Sequence, residues 1–169
     1  TGHVIYETLV CAIFAPKKQV VITPPYSVPD DALLLALTTA AKRGVKVILN
    51  VPKKVDSLLV RFASQAYFDP LLSAGVQIYL CDAGLLYAKI LCVDDDYCLF
   101  GTVNMDMRSF YLNMEVSMAI YNRTMTQQML TCQHEYLQQS EPLQRDGWQQ
   151  LSFGAKFLDN AIRLFSPLL

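Results

Sequence analysis

The sequence predicts an α/β domain built in layers, and three observations support that class. Helical and extended patterns alternate at short intervals along the chain, as they do where strands and helices are interleaved. Extended segments such as Val45-Lys46-Val47-Ile48-Leu49 are nearly continuous apolar runs, the pattern of strands buried on both faces. Hydrophobic residues make up 53% of the 169-residue chain, enough for one domain with a large core. The same composition, with only 17% charged residues, also allows some apolar surface to be covered by a partner or a membrane.

The elements follow in order. An amphipathic helix is expected around Tyr6 to Phe14, then the β-rich run Gln19-Val20-Val21-Ile22-Thr23. Pro29-Asp30-Asp31 starts a helix by presetting φ, offering a side-chain acceptor to orphan N–H groups and placing negative charge at the dipole's positive end. That helix covers Ala32 to Ala41 and stops at Lys42-Arg43-Gly44, cations followed by a terminating glycine. After the strand Val45 to Leu49, one long helix is expected from Ser57 to Ser73, closed by Gly75, and then the strand Val76 to Leu80. Leu85 to Val93 and Tyr97 to Phe100 read as two strands about the turn Asp94-Asp95-Asp96, whose carboxylates read as a solvated hairpin tip. A strand over Asn113 to Tyr121 and amphipathic helices over Met125 to Gln139 and Phe153 to Phe165 complete the chain, the last expected to cover the sheet or to dock on a membrane or partner.

Charge and cysteines exclude some functions. With 14 basic and 15 acidic residues, the chain lacks the excess positive charge that drives non-specific nucleic-acid binding. Cys11, Cys81, Cys92, Cys98 and Cys132 are odd in number and have no metal-ligand spacing, so they are expected to be free, mostly buried thiols in a reducing compartment. No apolar run reaches the ~18 residues of a membrane span, and the start carries no signal-peptide pattern.

The chemistry is concentrated between Tyr87 and Glu115. Residues two apart on a strand share a face, so Tyr87 and Lys89 are expected to project together while Ala88, Ile90 and Cys92 face a helix layer. A lysine within an apolar strand is costly to bury unless an anion meets it, and a compact ammonium suits a phosphate. Taken alone, Lys89 reads as an edge-strand lysine reaching solvent. Gly101-Thr102 after a strand predicts a tight turn whose backbone N–H groups and hydroxyl address an oxyanion, with Asn104 as a further amide donor. Together these groups would neutralise phosphoryl oxygens as charge develops. Asp94 has the opposite parity from Lys89 and is expected to bond backbone groups in the turn. Glu115 is read either as an exposed strand carboxylate or as an acceptor for the Tyr87 hydroxyl. His3 and His134 stand outside this constellation, and His134 is expected at the surface.

The spacing Tyr87-x-Lys89-x4-Asp94-x6-Gly101-Thr102-x-Asn104 resembles the H-x-K-x4-D-x6-G-[ST]-x-N motif of the phospholipase D superfamily at every fixed position but the first, where Tyr87 stands for histidine. The flanks are similar to bacterial cardiolipin synthases. Arg108-Ser109-Phe110-Tyr111-Leu112-Asn113-Met114-Glu115 matches their R-S-x-x-x-N-x-E tract, and Ile22 to Asp30 is similar to their T-P-Y-F-x-P-x-D segment, with Pro24 and Ser27 in place of the usual Thr and Phe. Val51-Pro52-Lys53-Lys54-Val55-Asp56-Ser57 and Ala74-Gly75-Val76-Gln77-Ile78-Tyr79 resemble two further segments of that family.

The resemblance implies a layered α/β/α sandwich with a mixed central sheet, occupying residues 1–169 as a single phospholipase D-like domain and forming the C-terminal half of a two-copy enzyme. It implies phosphatidyl transfer between two phosphatidylglycerols to give cardiolipin and glycerol, without metal or cofactor. One histidine attacks phosphorus, and a second, from the other half, protonates the leaving alcohol. The implied catalytic positions are Tyr87, Lys89, Asp94 and Glu115, the last orienting the histidine in the family; the implied phosphate-binding residues are Lys89, Gly101, Thr102 and Asn104. The implied partners are the N-terminal motif half or a second copy of this chain, and a phospholipid, with no nucleic acid. The full-length protein is expected at the cytoplasmic face of a bacterial inner membrane, and this chain by itself to be soluble.

Tyr87 decides the expected activity. An imidazole with a pKa of about 6.5 gives and takes protons at neutral pH, whereas a phenol near ~10 stays protonated. The chain alone is therefore expected to be inactive. Two other readings are a non-catalytic half that binds a phosphodiester headgroup or braces a partner domain, and a phospholipase D-type phosphodiesterase.

Overall fold

The computed structural model describes residues 4–55, 57–82, 86 and 88–145. The elements, in chain order, are α1 (Val4–Phe14), β1 (Gln19–Thr23), α2 (Asp31–Lys42), β2 (Lys46–Pro52), α3 (Leu58–Gln65), α4 (Phe68–Ala74), β3 (Gln77–Cys81), β4 (Ile90–Val93), β5 (Tyr97–Gly101), α5 (Met107–Tyr111), β6 (Ser117–Ile120), α6 (Arg123–Gln138) and β7 (Ser140–Pro142).

Seven strands form one mixed sheet in the order β6-β5-β4-β1-β2-β3-β7. The central trio β1, β2 and β3 is parallel, with Val21 opposite Ile48 and Leu49 opposite Ile78. The outer strands run antiparallel: Thr23 pairs with Ile90, Cys92 with Cys98, and Gly101 with Ser117. Both faces are covered. On one, Ile13, Leu33, Leu37, Leu71 and Phe110 pack over Val20, Ile22, Val47 and Leu49. On the other, Leu130 of α6 packs over Val21, Ile48, Cys92, Cys98 and Ile120. Alternate residues of the central strands are thus apolar in both directions, which is why those strands read as unbroken apolar runs.

Local chemistry sets the helix limits. The Asp30 side chain accepts from Leu33 N at 2.9 Å, and the Tyr6 hydroxyl donates to the other carboxylate oxygen, so one residue caps α2 and ties it to α1. That bond and burial of the phenol, burial being the larger cause, hold the Tyr6 hydroxyl above its ordinary titration range. Gly44 follows the Arg43 cap with φ +86°, a left-handed conformation that glycine adopts without a Cβ penalty.

Several sequence expectations need correction. The helix expected over Ser57 to Ser73 is two, α3 and α4, broken at Ala66 and Tyr67. The reason is Pro70: without an N–H it cannot serve the interior of one long helix, but it is tolerated in the first turn of α4. The strand expected from Leu85 begins, among the described residues, only at Ile90, so Lys89 precedes β4. The strand expected over Asn113 to Tyr121 shortens to Ser117–Ile120, and α5 was not anticipated; Asp106 caps it, accepting from Ser109 N at 2.6 Å. The short edge strand β7 was also missed. The helix expected over Phe153 to Phe165 and His3 lie outside the described residues.

The cysteine expectation fails in part. Cys92 and Cys98 are disulfide-bonded, with Cα atoms 4.2 Å apart. The antiparallel register of β4 and β5 places them directly opposite on the face under α6, close enough to bridge. Cys81 and Cys132 are unbridged, and Cys11 is exposed rather than buried.

Candidate functional site

The loops that leave β1, β2 and β5, and those that enter β4 and β6, meet at one end of the sheet, the carboxyl end of the parallel trio. This is where open α/β sheets bind ligands, because the strand ends present loops and backbone groups that no neighbouring strand covers. A small concavity there is lined by Lys89, Thr23, Pro24, Gly101, Met105 and Ser117. Lys89 reaches it from the segment just ahead of β4, half-buried beside Ile90 and Leu91.

Asn104 lies in the loop after β5, and its Nδ2 donates to the Tyr26 hydroxyl at 3.0 Å. Tyr26 in turn donates to Asp106 Oδ2 at 2.6 Å. The loop after β1 and the loop after β5 are zipped together here, Val28 N donating to Met105 O at 2.9 Å beside a bridge between Ser27 and Met105. The Asn104 Oδ1 and Ser117 Oγ atoms are buried without a hydrogen-bond partner.

Gly101 and Thr102 do not form the expected oxyanion turn. Gly101 closes β5, its N–H donates to Lys89 O at 3.2 Å, and Thr102 N donates to Val116 O at 2.9 Å. Both amides are therefore spent on neighbouring chain segments. Glycine is required at 101 for a different reason: a Cβ there would stand 2.1 Å from Val116 O and 2.9 Å from Ser117 Oγ. The Thr102 hydroxyl donates to Glu115 Oε2 and accepts from Val116 N at 3.0 Å. Glu115 also accepts from Asn113 Nδ2 at 3.3 Å, so its carboxylate fastens the start of β6 to the end of β5. Tyr87 lies outside the described residues.

Asp94 stands at the opposite end of β4 from Lys89. Its residue has φ +48°, and its carboxylate accepts three backbone N–H groups: Lys17 at 3.0 Å, Lys18 at 2.8 Å and Gln19 at 2.9 Å. Burial pushes this carboxyl up, but the three backbone donors and the Lys18 ammonium outweigh it and hold the group below the usual carboxylate range. The catalytic position implied for Asp94 is thus not part of the pocket; the parity argument for a structural role describes its surroundings. Asp95 pairs with the exposed Lys18 ammonium at 3.1 Å. His134 is exposed, with Nδ1 2.7 Å from Leu130 O.

Lys53 does not enter the pocket either. Its ammonium lies 3.0 Å from Glu141 and 3.4 Å from Asp82, and the Glu141 bond, with the charge of Asp82, raises its pKa. It clamps the exit of β2 to the β3 and β7 edge.

Sequence reasoning passed over Gln133, whose fully buried amide nitrogen lies 3.1 Å from Val21 O, 3.0 Å from Thr23 Oγ1 and 3.3 Å from Ile90 O. It fixes α6 beneath the seam between β1 and β4, directly under the pocket. A glutamine between apolar positions of an amphipathic helix was the only available signal. Asp106, Ser117 and Tyr26 were also not singled out as site residues.

The seven-stranded mixed sheet with helices on both faces is the fold of solved phospholipase D superfamily members. The fold matches Nuc from Salmonella typhimurium, described as a phospholipase D family member, with a TM-score of 0.72 and 19% identity over 82% of this chain and 90% of Nuc. It also matches the phosphatidylserine synthase of Haemophilus influenzae, with a TM-score of 0.74 and 17% identity over all of this chain and 46% of that one. Residues 9–135 match the family model described as "Cardiolipin synthase, PLD-like domain", and the chain belongs to that family. Cardiolipin synthase A of Wigglesworthia glossinidia brevipalpis is 41% identical over 166 residues, 98% of this chain. This chain spans 34% of that relative's length, about a third. Among the described residues, no helix is long and apolar enough to cross a membrane.

Proposed function

We propose that this chain is the C-terminal motif half of a cardiolipin synthase, transferring a phosphatidyl group between two phosphatidylglycerols, and that residues 1–169 form a single phospholipase D-like domain. The observation that carries the proposal is the match of residues 9–135 to the cardiolipin synthase family, with Lys89 beside a small concavity at the carboxyl end of β1. Lys89 supplies the positive charge for a phosphodiester, and Asn104, in the loop whose Val103 and Met105 line the concavity, is read as an amide donor. The partner is the other motif half, within the same enzyme or in a second copy of this chain, and the full-length protein works at the cytoplasmic face of a bacterial inner membrane.

With tyrosine in place of the motif histidine, the half cannot shuttle the proton between leaving and attacking alcohols. General acid–base groups contribute roughly 10²–10⁴-fold to rate. Tyr87→His in the full-length protein is therefore expected to raise cardiolipin formation from phosphatidylglycerol by about that factor. No gain over the tyrosine form would defeat the transferase reading. Tyr87 itself favours a second reading, a half that binds the headgroup without turnover. It requires inorganic phosphate binding that falls in Lys89→Ala and Asn104→Ala, together with unchanged, negligible turnover after Tyr87→His.

A further inference from the structure

Asn104, between the pocket-lining Val103 and Met105, is read above as the neutral donor for a phosphate, yet nothing in a carboxamide's shape decides which of its ends faces a ligand. The loop after β1 decides it. Asp106 is only 2% exposed, and its carboxylate accepts Ser109 N at 2.6 Å, Ser109 Oγ at 3.2 Å and the Tyr26 hydroxyl at 2.6 Å. The Tyr26 hydroxyl has one proton and donates it to Asp106 Oδ2. The phenolic oxygen then presents only lone pairs to Asn104, and the amide nitrogen turns toward it at 3.0 Å. The reversed amide would set two oxygens against each other. The carbonyl oxygen is consequently turned away and left buried without a partner, a position the amide would not choose unassisted.

We infer that Tyr26 is a positioning residue for Asn104, acting as a one-way relay from the buried carboxylate of Asp106. The relay fixes the carboxamide with its nitrogen toward Tyr26, leaving the second N–H of that nitrogen for an anionic oxygen. It also polarises the donor: the carboxylate draws on the phenolic proton, the phenolic oxygen becomes a better acceptor, and the remaining amide N–H a better donor. The backbone bridge between Ser27 and Met105 holds the two loops in register, so the relay is part of the site's framework. This inference rests on the reading of Asn104 as a phosphate ligand.

The test uses the whole chain, inorganic phosphate as the probe, and the side-chain amide resonances of Asn104 as a readout independent of the ligand. In Tyr26→Phe the two Asn104 amide protons are expected to move toward the shifts and exchange rates of a solvated asparagine, and phosphate affinity to fall on the order of three- to tenfold, the scale of one hydrogen bond. In an Asn104→Ala background the same Tyr26→Phe change is expected to cost no further affinity, because the relay has nothing left to position. Asp106→Asn, which keeps an acceptor for the α5 cap, serves if the phenylalanine variant fails to fold and is expected to shift the same resonances. Unmoved Asn104 resonances in the folded variants, or an equal affinity loss in the Asn104→Ala background, overturns the relay. A wild-type chain that binds no phosphate removes the phosphate reading of the pocket, while the resonances still decide the relay.

Discussion

Lys89 and Asp94 belong to one short motif and flank one strand, but the two ends of β4 do different jobs. At the entry to β4, Lys89 lines a small, mostly apolar concavity where strand ends meet loops, with Thr23, Gly101 and Ser117 among its walls. At the exit, Asp94 is consumed by the protein itself, its two oxygens taken by the N–H groups of Lys17, Lys18 and Gln19. Two residues so close in sequence thus sit in different surroundings, one lining a concavity and one holding the chain in place. Charge sign contributes to the difference: a carboxylate is satisfied by backbone N–H donors, as Asp94 is, whereas an ammonium has only donors and needs an acceptor.

The largest expected effect breaks the pocket end by crowding. Gly101→Ala places a methyl 2.1 Å from the Val116 carbonyl, and the facing atom is backbone that cannot step aside. Separation of β5 from β6 should cost about 3 kcal/mol or more in chemical denaturation, the range of severe overpacking. A loss under ~1 kcal/mol would show that β6 shifts freely and that the close approach does not constrain the site.

Asp94→Ala should come next, removing three charge-assisted bonds and stranding three backbone donors. A loss of about 2–3 kcal/mol is expected by urea titration, with phosphate affinity unchanged in the folded variant. Lys89→Met should do the reverse, abolishing measurable phosphate binding by calorimetry while stability moves by less than ~1 kcal/mol. If the two variants lost binding and stability in the same proportion, the division of labour along β4 would not hold.

The smallest effect is set by pH. The folded-state carboxyl of Asp94 lies below its ordinary value, so its stabilisation is present above the unfolded pKa of about 3.9 and fades as pH falls through the lower folded value. The stability gap between wild type and Asp94→Asn should be constant near neutral pH and shrink below about pH 4. A gap that persists to the bottom of that window would assign the stabilisation to neutral hydrogen bonding rather than to charge.

Much of the framework was legible in advance. The helix start at Asp30, its stop at Gly44 and the buried strands of β1 to β3 follow from capping chemistry and apolar runs, which act over a few residues. Failures came where a local rule was overlooked or a distant neighbour intervened. Pro70 was visible and should have divided the helix over Ser57 to Ser73. The Cys92–Cys98 bridge depends on the register of two strands, which spacing alone does not fix. At the site, residue types were readable but directions were not. Gly101 and Thr102 proved to be bound to β6 and to the segment before β4, and Glu115 to Thr102 and Asn113.

By itself the chain determined which groups were available: an ammonium, an amide, a phenol, and the layered fold that brings strand ends together. Only the tertiary structure decided how they were allotted. Asn104 took its orientation from Tyr26 and Asp106, Asp94 was spent on the turn into β1, and Gly101 was held to glycine by the carbonyl of Val116. Side-chain identity is written locally, whereas a hydrogen-bond partner is whichever complementary group packing brings within ~3 Å, and in this domain those groups come from distant parts of the chain.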